Sequence, residues 1–386
     1  ETIILRALLQ GDLRPMEAVT LHDGRSFLEE WTEQREAILS GNVGVTQAIR
    51  WETFDQKTLR WYANILRNRL KLVESQPVQL IRECLLDGRG EVTPTEMRQL
   101  RLLFGQGGTI TRREIGRDVL DLRLRQSMEG RWDERQEIAD NLLGSLRRAI
   151  DFIGQHNPMI KELSVDDFQN PAGSADYVAA REALINLIIH QDYTDPRTVA
   201  QIELEPHRTT MVNAGASLVS EEELIDGGTS TARNPLVARA LKLIGFAELA
   251  GSGLREAHRL WRGAHRQPIV VTSDEANNRF RIVLDSRPLK VVSDAFWQQH
   301  LGVKLTSEQA QLLSILSASL EGMSMGELCS ATGYHSKDVQ EFCDYLAVQQ
   351  LIERTNDNYR LKPHLIELAK KSVEVGKKSA PKSKKK

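Results

Sequence analysis

Cysteine is scarce in this chain: its 386 residues hold three, Cys84, Cys329 and Cys343, far apart and with no C-x-x-C pair. That spacing offers neither a disulfide framework nor a thiolate zinc site, and buried reduced thiols are the expected state. No apolar run approaches the roughly 20 residues that a membrane-spanning helix needs. The chain opens on Glu1 rather than methionine, without a basic segment leading into a long apolar stretch, so no secretory signal is expected, and whether a domain precedes Glu1 is left open. Also missing is any G-x-x-x-x-G-K-[ST], which excludes a P-loop motor. What is present, 40% apolar and 27% charged residues in a chain longer than one ordinary domain, points to a multidomain protein with real cores, expected in the cytoplasm.

The formal net charge of −2 conceals an asymmetry. Residues Lys370 to Lys386 hold eight lysines and one glutamate, a charge of +7, so the rest of the chain carries −9. Such a segment cannot bury apolar surface and is expected to be disordered. It reads either as a solubilising end or as a polyelectrolyte arm that releases counterions from nucleic acid; composition alone does not separate the two.

Residues Arg181 to Tyr193, REALINLIIHQDY, carry the strongest local signal. Ala183, Leu184, Leu187, Ile188 and Ile189 make a broad apolar face at helical spacing, while Glu182, Asn186 and His190 recur every four residues and so share one stripe. A carboxylate and an amide one turn apart suit a magnesium nucleotide, because the carboxylate can orient or deprotonate a water and the amide oxygen is a hard ligand for the ion. The bland alternative is a partly exposed polar stripe. Further along, GSGL at Gly251 to Leu254 reads as a turn opening a helix, where backbone amides can approach phosphate oxygens at the positive helix end.

In order and context these segments resemble the GHKL-type ATP-binding domain of gyrase, histidine kinases and MutL, in the divergent form found in prokaryotic proteins called RecG-like or ATP-binding transcriptional regulators. The resemblance covers Leu102 to Leu284 and rests on REALINLIIHQDY, NAG at Asn213 to Gly215, RNPLVA at Arg233 to Ala238 and ELAGSGL at Glu248 to Leu254. It implies ATP with Mg2+ as cofactor, Glu182 as the catalytic base and Asn186 as the metal ligand. It also implies a nucleotide site formed by Asn186, His190, Asn213, Gly215, Arg233, Asn234, Gly251, Ser252 and Gly253. Relatives usually begin with a Schlafen-like divergent AAA domain; no convincing copy stands here, Leu8 to Glu17 being at most similar to its opening. Two departures bear on turnover. Asn213 stands where better-studied members have an aspartate, losing a charge-assisted bond to adenine, and Gln191 stands where relatives carry arginine. Binding is therefore expected, with hydrolysis slow or absent.

Around that unit the pattern predicts a mostly helical region over residues 1–104, an α/β sandwich over 105–290 with helices on one face of a mixed sheet, and a C-terminal unit over 291–369. Strands are expected at Ala200 to Glu205, Thr209 to Asn213, Ile269 to Thr272 and Arg279 to Leu284, and another around Val119 to Leu124, at the end of a stretch from Gly108 whose pattern is ambiguous. In the C-terminal unit, helices at Ser307 to Leu320, Ser324 to Thr332 and Ser336 to Gln349 precede a hairpin at Ile352 to Leu361. Three helices and a two-stranded wing are the layout of a winged helix domain, whose third helix commonly enters the DNA major groove. On that reading Tyr334, His335, Ser336, Lys337 and Gln340, with Arg354 and Arg360 on the wing, contact double-stranded DNA. Asp338, Glu341 and Asp344 beside Lys337 also fit a protein-interaction module. The composite expectation is an ATP-binding, DNA-binding transcription regulator with no membrane partner, a homodimer being among the assemblies it admits. The alternatives are an ATPase subunit in DNA processing or phage defence, and a nucleotide-free interaction scaffold.

Overall fold

A computed structural model describes residues 46–72, 76–127, 131–157, 174–226, 232–247, 253–264, 266–288, 292, 294–319, 321–355 and 358–369. The chain first lays down a short strand β1 (Gln47–Ala48), helices α1 (Gln56–Leu70) and α2 (Pro77–Leu86), strand β2 (Glu91–Val92), and helices α3 (Pro94–Phe104) and α4 (Gly107–Ile115). Local chemistry fixes their starts. The Asp55 carboxylate accepts from the amides of Lys57 and Thr58 at the head of α1, and Thr93 and Glu96 form a reciprocal capping box at α3.

Next come β3 (Leu120–Leu124), β4 (Glu134–Ile138), α5 (Leu142–His156), α6 (Ala175–Ile189), the hairpin β5 (Ala200–Glu205) and β6 (Arg208–Ala214), then α7 (Glu221–Asp226), α8 (Pro235–Leu243), α9 (Gly253–Gly263), β7 (Val270–Asp274) and β8 (Arg279–Asp285). The six strands form one mixed sheet, ordered β4-β3-β5-β6-β8-β7, in which β3 and β5 run parallel and the other neighbours antiparallel. Register divides the sheet into two faces. Leu120, Leu122, Ala200, Ile202, Leu204, Met211, Ile282 and Leu284 align across it and are buried under α5 and α6. The alternate positions carry charge: Arg123 and Arg135 both pair with Asp121, Arg123 also reaches Glu203, and Arg208 reaches Asp285. Helices on one face and interleaved charges on the other make a two-layer α/β unit.

The N-terminal helices pack on this unit through α8. The Tyr62 hydroxyl donates to the Ala240 carbonyl at 2.8 Å, the Gln99 side-chain oxygen accepts the Leu236 amide at 2.8 Å, and Arg239 pairs with Asp87.

The C-terminal unit consists of α10 (Asp294–His300), α11 (Ser307–Leu316), β9 (Met323–Ser324), α12 (Met325–Thr332), α13 (Ser336–Val348), β10 (Ile352–Thr355) and β11 (Asn358–Leu361), with the three strands ordered β10-β11-β9 and a last helix over 363–369. Capping boxes start α11 at Thr306 and α12 at Ser324. Gly333, with φ +66°, ends α12 in the left-handed region where glycine is favoured. Among the described residues, no helix is long and apolar enough to cross a membrane.

Candidate functional site

The middle of α6 is almost wholly interior. Between residues 182 and 190 every side chain is buried except Glu182, Asn186 and His190, the three that share the four-residue stripe. One open polar line thus runs along a helix otherwise enclosed by the sheet, α8 and α9.

Each end of that line meets a glycine. At the first end, a Cβ built on Gly253 would lie 2.3 Å from Glu182 Oε2 and 2.6 Å from Oε1, so the carboxylate rests directly on the backbone that opens α9. Asn186 donates from Nδ2 to Glu182 Oε1 at 3.0 Å, holding the two side chains as a pair. At the other end, a Cβ on Gly215 would fall 2.8 Å from the His190 carbonyl and 3.2 Å from Arg233 Nε. Gly215 has φ +109° and lies in the region where only glycine is at ease. Burial and the neighbouring Arg233 cation push the His190 imidazole down to about 4, so the ring is neutral at pH 7. The Arg233 guanidinium donates to the Ala216 carbonyl at 2.8 Å, while its Nε is buried without a partner among the described residues.

The structure therefore gathers Glu182, Asn186, His190, Gly215, Arg233 and Gly253 along one line, although they come from segments up to 71 residues apart. Asn213 sits at the end of β6, buried on the helix-covered face, with its Nδ2 spent on the Ala214 carbonyl at 2.7 Å. Gly251 and Ser252 lie outside the described residues.

Two sequence expectations need correction here. Asn234 is not turned to the open line: it is buried, and its Nδ2 donates to the carbonyls of Ile189 at 2.9 Å and Gln191 at 2.8 Å. Both amide hydrogens thereby satisfy the carbonyls that α6 leaves free at its end, so the residue holds the fold. Gln191 faces no phosphate surface either. It is fully buried, and with its amide oriented to satisfy both partners its oxygen accepts from both terminal nitrogens of Arg117 at 2.8 Å. Arg117 also donates to the carbonyls of Asp195 and Asp192, so the whole His190 to Asp195 loop is pinned from beneath.

Sequence reasoning missed Asn278, which joins the loop after α6 to the turn after β6. Its side chain donates to Asp192 Oδ2 at 3.1 Å and accepts the Ala216 amide at 3.1 Å, while its carbonyl accepts the Gly215 amide at 2.8 Å. Only the doublet Asn277-Asn278 between two strands hinted at a special turn, since asparagine tolerates the left-handed conformation Asn278 adopts at φ 51°.

The C-terminal unit meets the α/β unit across α7 and α9, which involves three of the seven residues expected at DNA. The Ser336 amide donates to Asp226 Oδ1 at 2.6 Å and its hydroxyl to Oδ2, while His335 Nδ1 stands 3.5 Å from Oδ1. Arg255 Nη1 reaches His335 Nε2 at 2.8 Å and the Asp226 carbonyl at 2.7 Å. Tyr334 lies under the Arg262 guanidinium at 4.2 Å and donates to Gln311 at 3.0 Å. Lys337 is exposed. Gln340 is spent within its own unit, donating to Asp344 and accepting from the Tyr359 hydroxyl, and Arg360 pairs with Glu353. Arg354 is exposed and lies 5.5 Å over the Tyr359 ring.

No family model and no curated protein matches the chain. Among solved structures it is similar in fold to the crystal structure of the DIP2311 protein from Corynebacterium diphtheriae, at 15% identity and a TM-score of 0.51 over 92% of this chain. The match spans 60% of that protein's chain, and what it shares with ours is a mixed α/β architecture.

Proposed function

We propose that this protein is a nucleotide-responsive regulator, in which ATP with magnesium binds along the open line of α6 and a winged helix unit at residues 291–369 binds double-stranded DNA. The observation that carries the reading is that Glu182, Asn186 and His190, the side chains between residues 182 and 190 that are not buried, run from Gly253 to Gly215 and Arg233. A bland polar stripe has no reason to end on two glycines that leave no room for a Cβ.

The donor set suits the ligand. Gly253 opens a helix, where amides and the positive helix end favour phosphate oxygens. Asn186 has an amide oxygen to offer a hard cation, and Glu182 beside it can orient or accept a proton from a water. Arg233 adds fixed positive charge, and neutral His190 adds a hydrogen-bonding group without further charge. The magnesium nucleotide itself supplies the charged phosphoanhydride that these groups recognise. With Gln191 buried away from this line, the case for slow hydrolysis rests on Asn213 alone, and regulation is favoured over an ATPase motor on that ground. The DNA part of the reading draws on the order of α11, α12, α13 and the β10-β11 hairpin, and on the lysine-rich end of the chain.

The test is a titration of the protein with ATP and magnesium, followed by heat and by thermal melting. A magnesium-dependent rise in melting temperature that Asn186→Ala abolishes is the expected result, since a ligand bound only to the native state stabilises it by mass action. Any turnover should vanish in Glu182→Gln. If millimolar ATP moves neither the melting curve nor the calorimeter, the nucleotide reading is wrong.

A further inference from the structure

Helix α13 has no N-cap of its own. Its N-cap residue His335 makes no side-chain cap bond, whereas α11 and α12 each start on a complete capping box. The free amide of Ser336 is satisfied instead by Asp226, 110 residues away at the end of α7, which also accepts the Ser336 hydroxyl. A carboxylate at this place complements both the unpaired amide and the positive end of the helix. Although partial burial opposes the charge, those two bonds and His335 hold the Asp226 carboxyl below the usual carboxylate range, so it is ionised at neutral pH.

The rest of the seam mixes hydrogen bonds with apolar contact among Trp261, Ile269, Ile315 and Ala331, and it is incompletely filled. Arg255 bridges the Asp226 carbonyl and His335, Arg262 donates to the Thr332 carbonyl, and Ser330 Oγ donates to the Ile269 carbonyl at 3.0 Å. Gly333 seats the end of α12 against α9, where a Cβ would come 2.9 Å from that of His258. Beside it lies a cavity of about 60 Å³, lined by His258, Trp261, Arg262, Asp294, Gln311 and Ala331 among others, and the fully buried His258 leaves its Nε2 without a partner among the described residues. A seam in which hydrogen bonds and a cavity interrupt the apolar contact holds less firmly than an unbroken close-packed core, and releases at lower cost.

We propose that this seam is an autoinhibitory latch: Asp226 and Arg255 hold the first turn of α13 against the α/β unit, withholding from duplex DNA the helix start that would enter the groove. The inference rests on the reading of residues 291–369 as DNA-binding. It adds that the conformation described here is the closed one, opened when the Asp226 contact breaks.

Two measurements on the full chain test it: hydrogen exchange at the Ser336 amide, and binding of a fluorescent random-sequence duplex at low salt. In Asp226→Ala the amide should exchange about 10-fold faster, because local opening governs its protection. Duplex binding should tighten about 5-fold as the closed population falls. Arg255→Ala should move the exchange in the same sense. Glu223→Ala removes the same charge from the same helix without touching Ser336, so it serves as the control for bulk electrostatics. If it tightens duplex binding as much as Asp226→Ala does, the latch is overturned. Unchanged exchange in both latch variants overturns it as well, since the contact then holds nothing. Faster exchange with unchanged affinity, in chains that do bind duplex, means that the start of α13 is not the DNA face and equally sinks the proposal. Should exchange accelerate while no chain, wild type included, binds any duplex, the DNA reading itself has failed and the latch falls with it.

Discussion

Gly253→Ala is the sharpest probe of the proposed nucleotide site, because the structure gives the new methyl one place to go. Its carbon would lie 2.3, 2.4 and 2.6 Å from the Glu182 carboxylate atoms, where ordinary contact begins at 3.4 Å. The carboxylate must retreat by about 1 Å. As the far end of a flexible side chain it can do so for about 0.5–1.5 kcal/mol of rotamer strain. Gly253 is the first residue of α9 and its φ is not positive, so alanine fits the backbone and returns up to about 1 kcal/mol of helix propensity. The two effects nearly cancel, and the apo protein should keep its stability to within about 1 kcal/mol. Nucleotide binding should not survive so well. On the proposed reading, ATP with magnesium at 100-fold above Kd should stabilise the wild type by about 2.7 kcal/mol; a variant binding 100-fold more weakly would keep only about 0.4 kcal/mol at that same concentration. Urea unfolding with and without the nucleotide reads both numbers. A variant that folds normally and retains the full nucleotide increment would refute the seating of phosphate between Gly253 and Glu182. One that loses more than about 3 kcal/mol without nucleotide would mean that the glycine serves the fold.

Asn234→Ala should instead cost about 2–4 kcal/mol irrespective of nucleotide, since it strips donors from two carbonyls at the end of α6; a loss confined to the nucleotide increment in urea unfolding would restore Asn234 as a ligand. Acid should weaken the fold earlier than carboxylate titration alone explains. Burial pushes His258 down to about 3 and His190 to about 4, both below the ordinary value of 6.5, so as pH falls the unfolded chain takes up protons that the native chain refuses. Their stabilisation is complete above pH 6.5 and declines below it, by up to about 1.4 kcal/mol per pH unit for each ring. Between pH 6.5 and 5 the urea midpoint should therefore fall, and His258→Gln should make that fall shallower; identical slopes would show that the ring does not stay neutral. Truncation after Ala369 should flatten the salt dependence of duplex binding by up to about 6 in the log-log slope, if all seven net charges meet phosphates. An unchanged slope would assign the tail to solubility.

Legibility in the sequence followed how local the determining contacts are. The polar stripe on α6 was readable because its period of four is a property of the helix itself, and the β5-β6 hairpin because its apolar alternation matches the pleat. β4 was invisible. As an edge strand whose central residues Arg135, Gln136 and Glu137 are exposed, it carries no apolar period, and pairing with β3 alone defines it. The helix Gly107–Ile115 carries no clear signature in the sequence, because paired glycines and β-branched residues disfavour the helix that it nevertheless forms. Asn234 misled for a different reason. An asparagine before proline, between motifs of a nucleotide site, has the chemistry of a ligand, and only its partner 45 residues away reveals where its hydrogens go. The contact of Asp226 with Ser336 spans 110 residues and leaves no local trace. The start of the lysine tail also needs the structure: Leu365 and Ala369 are buried in the last helix, so the removable segment begins after Ala369.

The candidate nucleotide site and the latch share one rigid element. Helix α9 spans 11 residues, roughly 16 Å at 1.5 Å per residue. Its first residue carries the Glu182 contact, and Arg255, His258 and Arg262 carry the seam. Leu254 and Ala257 are buried where α9 packs on α6, while Arg255, His258, Trp261 and Arg262 meet the C-terminal unit, so the helix is held by one unit and read by the other. The segment from α7 to α9 begins at Asp226 and returns to Gly253, so both of its ends touch one of the two functional surfaces. A ligand that favours one arrangement of the Gly253 end must therefore either leave the Asp226 end indifferent or bias it. If it biases it, linkage requires that breaking the Asp226 contact alter nucleotide affinity by the same factor as nucleotide alters the latch. The direction of that bias decides whether the nucleotide-bound state or the nucleotide-free state presents α13 to DNA, and it is set by which state of the latch leaves Glu182 free to accommodate the phosphates beside Gly253.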